Sequence, residues 1–345
     1  MTRIYLVRHA EAEGNIYRIF QGQQDTLLTE TGNVQTRALG ERFRDIHVDA
    51  VYSSDLYRAA ATAAAICRVK DLPLTRVSAL REVCVGKWEG RAVGDVRRED
   101  TREVGAAAGE KQDNWRGGET MAQVRDRMLA ALLDIARAHE GESVAVVSHG
   151  GAIREVVEYL QGGKLPTGQN TGISVLELEN DALKVISYND ASHLDVWMEK
   201  LLGRPYHQRD SGLQPGLWYR TPTEEERRAW LRAAGCEDAA YPAENMVLGA
   251  WGDEDAGILA LDPARDAEQG IGWVDLMWMK PELRQRGGGI QLLGQAVYRY
   301  RAMGRRVLRL EIAHDTDVEF LTHHGFRPAG EGILEKDIAF HTLDV

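Results

Sequence analysis

Short apolar segments alternate with longer segments of helical periodicity over the first 200 residues, and this alternation constrains the fold more than any other feature. The predicted strands are residues 3–7, 49–54, 143–148, 172–180 and 182–189. The predicted helices among them are residues 29–45, 56–69 and 152–160. This order is typical of an α/β fold with a mostly parallel sheet and helices on both faces. Residues 93–119 are polar and charged, and we expect them to form an insertion over the sheet.

The chain is long enough for two domains. Its 345 residues exceed the length that one hydrophobic core usually organises. Residues 204–216 are rich in Gly, Pro and polar side chains and form the predicted linker. We therefore predict a first domain at 1–203 and a second at 217–345. The second begins with a short strand and a helix capped by Thr221, and its later pattern predicts a mixed α/β domain.

The acidic composition disfavours two kinds of partner. The formal net charge of −11 argues against non-specific binding to nucleic acid or to an anionic membrane. No apolar run approaches the length of about 18 residues that a membrane span needs. The three cysteines are widely spaced and form neither a disulfide framework nor a CxxC metal site, so we expect a reducing, cytoplasmic setting.

Cationic side chains stand where predicted strands end. Arg8 and His9 follow the first strand, Arg58 lies one turn into the helix after the second, and His149 ends the strand at 143–148. In open α/β sheets, ligands bind beyond the carboxyl ends of the strands. Cations brought together there repel one another, and a bound dianion removes that cost. Arginine also matches phosphate geometry, so the sequence predicts a phosphate site. The glycines 150–151 would allow a ligand to approach the backbone closely.

Six ordered motifs resemble the histidine phosphatase superfamily, which has the phosphoglycerate mutase-like fold. They are VRHAEAEGN, QGQQDTLLTETG, YSSDLYRAAATA, LREVCVGKWEG, GGETMAQVRDR and VVSHGG, and they span residues 1 to about 200. The resemblance implies that His9 is the nucleophile and becomes a phosphohistidine. It implies that Arg8, Arg58 and His149 bind the transferring phosphoryl group, and that Glu82 is the general acid.

The same resemblance assigns further contacts and no metal. It implies that Asn15 contacts phosphate or substrate and that Gln21 and Gly22 line the mouth of the pocket. Ala10 departs from the family pattern, which commonly has glycine there. The expected partner is a small phosphorylated metabolite, and sugar phosphates, ribazole phosphate and phosphoamino acids all remain open. Hydrolysis is favoured over mutase chemistry, and a phosphate sensor without turnover is the non-enzyme alternative.

A second glycine-rich segment, RQRGGGIQLL, lies between a predicted strand and a predicted helix. Backbone N–H groups of such a turn at a helix N-terminus bind anions. The segment resembles the acetyl-coenzyme A loop of the GNAT acyltransferase family. That resemblance implies that acetyl-CoA binds at Arg284, Arg286, Gly287, Gly288 and Gly289, with an amine as acyl acceptor.

Three positions depart from the GNAT pattern. His314, Asp317 and Leu321 stand where that family often has Asn, Ala and Tyr. The Tyr commonly protonates the departing thiolate, which Leu321 cannot do, so coenzyme binding is better supported than transfer. Asp275 on the preceding strand is a candidate to bind an amine or act as a base, or is a solvated carboxylate. A coenzyme-binding regulatory domain is therefore the alternative to an acetyltransferase.

Overall fold

A computed structural model describes residues 1–99, 117–203, 216–313 and 316–343. Within these ranges the chain forms two sheets, one in the N-terminal part and one in the C-terminal part. Most of the predicted linker and part of the predicted insertion lie outside the described residues. No helix in the described ranges is both long enough and apolar enough to cross a membrane.

The N-terminal sheet has the order β3-β2-β4-β1-β5-β6. Its strands are β1 (Thr2–Arg8), β2 (Ala50–Ser53), β3 (Leu74–Arg76), β4 (Ser143–Ser148), β5 (Ile173–Glu179) and β6 (Ala182–Asp190). The first four are parallel, and the predicted late pair β5–β6 adds antiparallel strands at one edge. Because Arg8 pairs with Ser148, the residues that follow each of them leave the sheet side by side.

Helices cover both faces of this sheet. They are α1 (Glu13–Tyr17), α2 (Glu30–Arg44), α3 (Tyr57–Lys70), α4 (Val93–Glu99), α5 (Met121–Ala138), α6 (Gly150–Gln161) and α7 (Ser192–Leu202). Ile4 and Leu6 of β1 point into a core with α5 and α6, and Val7 points into a core with α2 and α3. This alternation follows from the two-residue period of a strand. The mostly parallel sheet with helices on both faces is confirmed.

The C-terminal sheet has the order β12-β13-β11-β10-β9-β8-β7. Its strands are β7 (Trp218–Arg220), β8 (Met246–Trp251), β9 (Glu254–Asp262), β10 (Ile271–Met279), β11 (Val307–Glu311), β12 (Arg327–Gly330) and β13 (Ile333–Asp337). The accompanying helices are α8 (Glu224–Ala233), α9 (Gly288–Ala302) and α10 (Val318–His323). Strands β10 and β11 are parallel, and the other described pairs are antiparallel, so this part is mixed α/β as expected.

Two local predictions in the C-terminal part are wrong. Helix α8 is capped by Thr223 and not by Thr221, because Glu226 stands three residues after Thr223 and completes a reciprocal capping box. Strand β12 was not expected, because its Pro328 and Gly330 are poor strand formers. It exists because β13 supplies the pairing edge.

The N-terminal and C-terminal parts share one hydrophobic core. Ile16, Tyr17 and Ile19 of the N-terminal part are buried among residues of α9 and of strands β8 to β11. Tyr17 packs against Gly294, the α9 residue where a side chain would have no room. The two parts are therefore packed together over a buried surface.

Polar contacts reinforce this packing. The guanidinium of Arg301 on α9 donates to both carboxylate oxygens of Glu13 on α1, at 3.0 and 3.2 Å, and Glu13 is 2% exposed. Asp95 of α4 accepts a hydrogen bond from the N–H of Tyr219 at 2.7 Å. The described part of the predicted insertion thus contacts the edge of the second sheet, and does not lie only over the first.

We expect Gly294→Val to loosen this packing. A Cβ at Gly294 would lie 2.5 Å from the Cγ of Tyr17, so the two helices would have to separate. Overpacking of this kind typically costs about 1–3 kcal/mol. Ala302→Val, at an exposed position of the same helix, is the matched control. Equal unfolding midpoints of the two variants in chemical denaturation would show that the close contact is not required.

Candidate active site

His9 lies at the carboxyl end of β1 and is 3% exposed. Its Nδ1 is 2.7 Å from the carbonyl oxygen of Ala10. A carbonyl only accepts, so Nδ1 carries the ring proton and Nε2 keeps a lone pair. Burial lowers the pKa of His9 well below 6.5, and Arg58 and Arg8 lower it further. The imidazole is therefore neutral at physiological pH and is chemically able to attack an electrophile.

Two buried arginines flank this imidazole. Arg58 donates from Nη1 to Gln24 O at 2.8 Å and from Nη2 to Gly22 O at 2.7 Å, and Arg8 donates from Nη1 to Gly168 O. The Nε of each has no hydrogen-bond partner among the described residues. Burial lowers the pKa of Arg8 to about 10 and also lowers that of Arg58. Both stay charged at neutral pH, and each offers an unused donor.

His149 packs behind His9 and is fully buried. The centroids of the two rings are 5.2 Å apart. Neither ring nitrogen of His149 has a hydrogen-bond partner in the described part of the chain. Burial lowers the pKa of His149 well below 6.5, and the charge on Arg58 adds to this effect. The sequence-predicted Arg8, His9, Arg58 and His149 thus lie together at the strand ends.

Glu82 approaches the same place from the other side. Its Oε2 accepts from the N–H of Gly151 at 2.9 Å, and its Oε1 accepts from Ala152 at 2.9 Å and from Val83 at 3.0 Å. The first turn of α6 therefore fixes this carboxylate. A Cβ on Gly150 would lie 2.9 Å from the Nε of Arg8, and one on Gly151 would lie 2.7 Å from the Glu82 carboxylate. These glycines make room for Arg8 and Glu82, a different reason from the ligand approach that we expected.

Asn15, Gln21 and Gly22 all line the cavity in front of His9. Each also has a structural contact. The Oδ1 of Asn15 accepts from Ala12 N–H at 2.9 Å, and the Oε1 of Gln21 accepts from Thr26 at 2.6 Å. Gly22 has φ of 50° and presents its carbonyl to Arg58, so this glycine holds a cation of the pocket.

Two cavity-lining residues were not found from the sequence. Asn170, just before β5, donates from Nδ2 to the carbonyl of His9 at 2.9 Å. Arg154 lies one turn into α6 and donates to Thr167 Oγ1 at 3.2 Å. Arg154 repeats the position of Arg58 in α3, one turn after a strand end, and that signal could have identified it. Asn170 had no comparable signal, because it comes from an irregular segment.

The cavity in front of His9 has a volume of about 1450 Å³ and extends to the C-terminal part. Its N-terminal wall includes Arg8, Arg58 and Glu82, and its C-terminal wall includes the turn at Gly287. His149 is not among the lining residues and is covered by its neighbours. One continuous space therefore connects the two segments that the sequence marked as anion sites.

The family model for the histidine phosphatase superfamily (branch 1) matches residues 4–191, which is more than half of the 345 residues. The chain belongs to this superfamily. The probable phosphoglycerate mutase GpmB of Salmonella choleraesuis (strain SC-B67) is 32% identical over 211 residues, 60% of this chain and 95% of that protein. The metal-independent phosphoserine phosphatase of Arabidopsis thaliana is 35% identical over 202 residues, 56% of this chain and 84% of that protein.

A solved structure supports the same membership. Bacillus stearothermophilus YhfR superimposes with a TM-score of 0.53 at 29% identity, over 56% of this chain and all of that one. The N-terminal sheet and its helices thus have the phosphoglycerate mutase-like fold of the superfamily. The C-terminal wall of the cavity lies beyond the residues 4–191 that the family model matches.

That wall is built around the start of α9. Gly287 caps the helix with φ of 79°, a left-handed conformation that favours glycine. Arg284 donates from Nε to Met279 O at 3.2 Å. Arg286 is exposed and lies over the ring of Trp251, 5.5 Å from its centroid. Gly289 faces the cavity, with Phe320 about one van der Waals contact away from the position of a Cβ.

Strands β10 and β11 separate beside this turn. They pair from Ile271 to Val274, and β10 then has a bulge at Asp275. Burial raises the pKa of Asp275 to about 6, and the nearby Asp262 adds to the effect. Asp275 lines the cavity.

Two of the three departures from the GNAT pattern lie in the described residues. Asp317 caps α10 by accepting from the N–H of Phe320 at 2.9 Å, and Leu321 is 2% exposed at the cavity wall. His314 lies outside the described residues. Acid–base groups at this end of the cavity therefore come from β10 and β11, because α10 presents a leucine.

We expect the ring of His9 to stay neutral well below pH 6.5. A folded-state pKa below the usual value of about 6.5 means that the proton binds only in more acidic solution. NMR titration of the histidine Cε1–H signals between pH 7.5 and about 5 measures this directly, with His9→Asn used to assign the signal. A His9 midpoint at or above the usual value would contradict the arrangement of two buried arginines around a neutral imidazole.

Proposed function

We propose that the N-terminal part is a metal-independent phosphomonoesterase that works through a phosphohistidine at His9. The supporting observation is a neutral imidazole, held by Ala10 O through Nδ1, between two buried guanidinium groups with unused Nε donors. A phosphoryl dianion would supply the charge and acceptors that Arg8 and Arg58 lack. Membership of the histidine phosphatase superfamily supports the same chemistry.

The proposed reaction has two in-line steps. Nε2 of His9 attacks phosphorus, the ester P–O bond breaks, and Glu82 gives its proton to the leaving alkoxide. Water then attacks the phosphohistidine, Glu82 takes a proton from it, and the P–N bond breaks to release phosphate. Arg8, Arg58 and His149 stabilise charge on the phosphoryl oxygens in both steps.

Hydrolysis is the favoured outcome of this intermediate. A mutase must keep water away from its phosphohistidine until a second transfer, whereas the cavity of about 1450 Å³ leaves ample space for water. The relatives include both a probable phosphoglycerate mutase and a metal-independent phosphoserine phosphatase. We therefore propose a small phosphorylated metabolite as substrate, with phosphoamino acids and phosphorylated carbon acids among the first compounds to screen.

The parent protein should release phosphate from an aryl phosphate in the presence of excess chelator. His9→Ala should lower kcat by about 10³-fold or more, because it removes the nucleophile. His47→Ala is the control, since His47 is an exposed histidine outside the cavity. Phosphate release is the measurement.

Two outcomes would contradict this function. Full activity of His9→Ala would exclude a phosphohistidine at that position. Interconversion of 2- and 3-phosphoglycerate by the parent, without free phosphate, would replace hydrolysis with mutase chemistry. Binding of vanadate without any turnover would favour the sensor alternative.

A second function is proposed for the C-terminal part: binding of acetyl-CoA or another acyl-CoA at residues 284–289, with transfer of the acyl group to an amine. The supporting observation is the left-handed Gly287 at the start of a 15-residue helix, directly beside the opening between β10 and β11. Backbone N–H groups at such a turn can hold a pyrophosphate. Asp275, with a pKa of about 6, is the candidate base for an ammonium acceptor.

Gly287→Val should weaken acetyl-CoA binding strongly while phosphatase activity remains. The valine would strain a backbone with φ of 79° and fill the turn. Gly304→Val is the matched control, because Gly304 has a similar φ of 76° at the other end of the same helix and does not line the cavity. Isothermal calorimetry measures the binding. A parent protein that does not bind millimolar acetyl-CoA would rule out the coenzyme site. Binding without acylation of any amine would favour the regulatory alternative, with Leu321 as the reason.

A further inference from the structure

The cavity in front of His9 is larger than a phosphoryl pocket needs. Small-molecule sites usually have volumes of about 300–1,000 Å³. This cavity has about 1450 Å³ and continues from His9 past residues 16–22 to the turn at Gly287. The space next to the phosphoryl position is therefore bounded by the C-terminal part, and a substrate would contact both walls.

The second wall has a fixed position. Helix α9, which begins at the turn, packs on α1 through Gly294 and Tyr17 and through the buried pair of Arg301 and Glu13. The 216–217 segment adds a contact, because Leu217 N–H donates to Gln291 Oε1 of α9 at 2.8 Å. The distance between the two walls is thus set by packing, as a recognition surface requires.

Arginines mark both ends of the cavity. At one end the Nε atoms of Arg8 and Arg58 are buried and have no hydrogen-bond partner in the described part of the chain. At the other end Arg284 and Arg286 flank the glycine turn. These groups are placed in one cavity of a chain whose net charge is −11, which indicates a ligand with more than one anionic group.

Apolar surface separates the two ends. Ile16 and Phe20 line the cavity on the N-terminal side, and Trp251 and Phe320 line it on the C-terminal side. Arg286 lies over the Trp251 ring, so a cation and an aromatic face are presented together. The carbon skeleton of a ligand can rest on this surface while its anionic groups reach the arginines.

We propose that the phosphatase acts on organic phosphomonoesters that carry a second phosphoryl group, with the monoester against His9 and the second group against Arg286 and the turn at Gly287. This rests on the proposed hydrolysis and names its substrate class. Only the monoester reacts: its P–O bond breaks, water supplies the new oxygen, and the second group is retained. Coenzyme A belongs to this class, because its ribose carries a phosphomonoester beside a pyrophosphate.

The test uses linear alkanediol bisphosphates of increasing chain length, each paired with the alkyl monophosphate of the same length. The parent should hydrolyse one range of bisphosphate lengths with a kcat/KM at least about tenfold above the paired monophosphates. Arg286→Ala should remove this preference by raising KM, with hydrolysis of the monophosphates and of an aryl phosphate unchanged. Arg306→Ala is the charge-matched control, since Arg306 is exposed and does not line the cavity.

The possible results separate this inference from the proposed function. Hydrolysis of aryl phosphate without any preference for bisphosphates would overturn the inference and leave the phosphatase in place. Equal effects of Arg286→Ala and Arg306→Ala would also overturn it. If the parent hydrolyses no phosphate ester, the proposed function fails. Calorimetry of the same paired ligands on His9→Ala then decides the inference, which requires tighter binding of the bisphosphate.

Discussion

The active site depends on two guanidinium groups that are buried without a full set of partners. Burial of Arg8 and Arg58 is unfavourable for their charge, as the lowered pKa of each shows. The fold offsets part of this cost by aiming the carbonyls of Gly22, Gln24 and Gly168 at their Nη atoms. It leaves each Nε unused and keeps the His9 imidazole neutral between them. The same two charges thus bind an anion and maintain the nucleophile in its reactive form.

Helix α1 links this pocket to the rest of the molecule. It follows the catalytic strand directly, carries Asn15 towards the cavity, and buries Tyr17 and Glu13 against α9. A change in the packing of the C-terminal sheet would therefore move a segment that lies only a few residues from His9. This contact explains how a second sheet can form a wall of a phosphatase cavity although it contributes nothing to the first sheet.

The sequence was most informative where regular elements determine position. Arg8, His9 and His149 could be placed together because parallel strands end at one edge, and the pairing of Arg8 with Ser148 confirms that reasoning. Glu82 was expected only through the family resemblance, because it comes from an irregular segment that is anchored by the N-terminus of α6. Contacts between residues far apart in sequence carried no local signal. The hydrogen bond from Asn170 to His9 spans 161 residues, and the pair of Arg301 and Glu13 spans 288. The continuous cavity depends on this second contact, so it could not be predicted either.

The overall charge of the chain limits how such a cavity can capture an anion. A net charge of −11 repels phosphorylated metabolites at long range. The attraction of the arginines is screened beyond about 8 Å at physiological ionic strength, so it acts mainly inside the cavity. Capture then depends on how many cationic groups a ligand can contact at once. That number is set by the separation of the two walls, which the packing of Tyr17 on Gly294 holds constant. Selection of substrate by this protein is therefore a matter of geometry at short range, and the packing of α1 on α9 is part of its recognition chemistry.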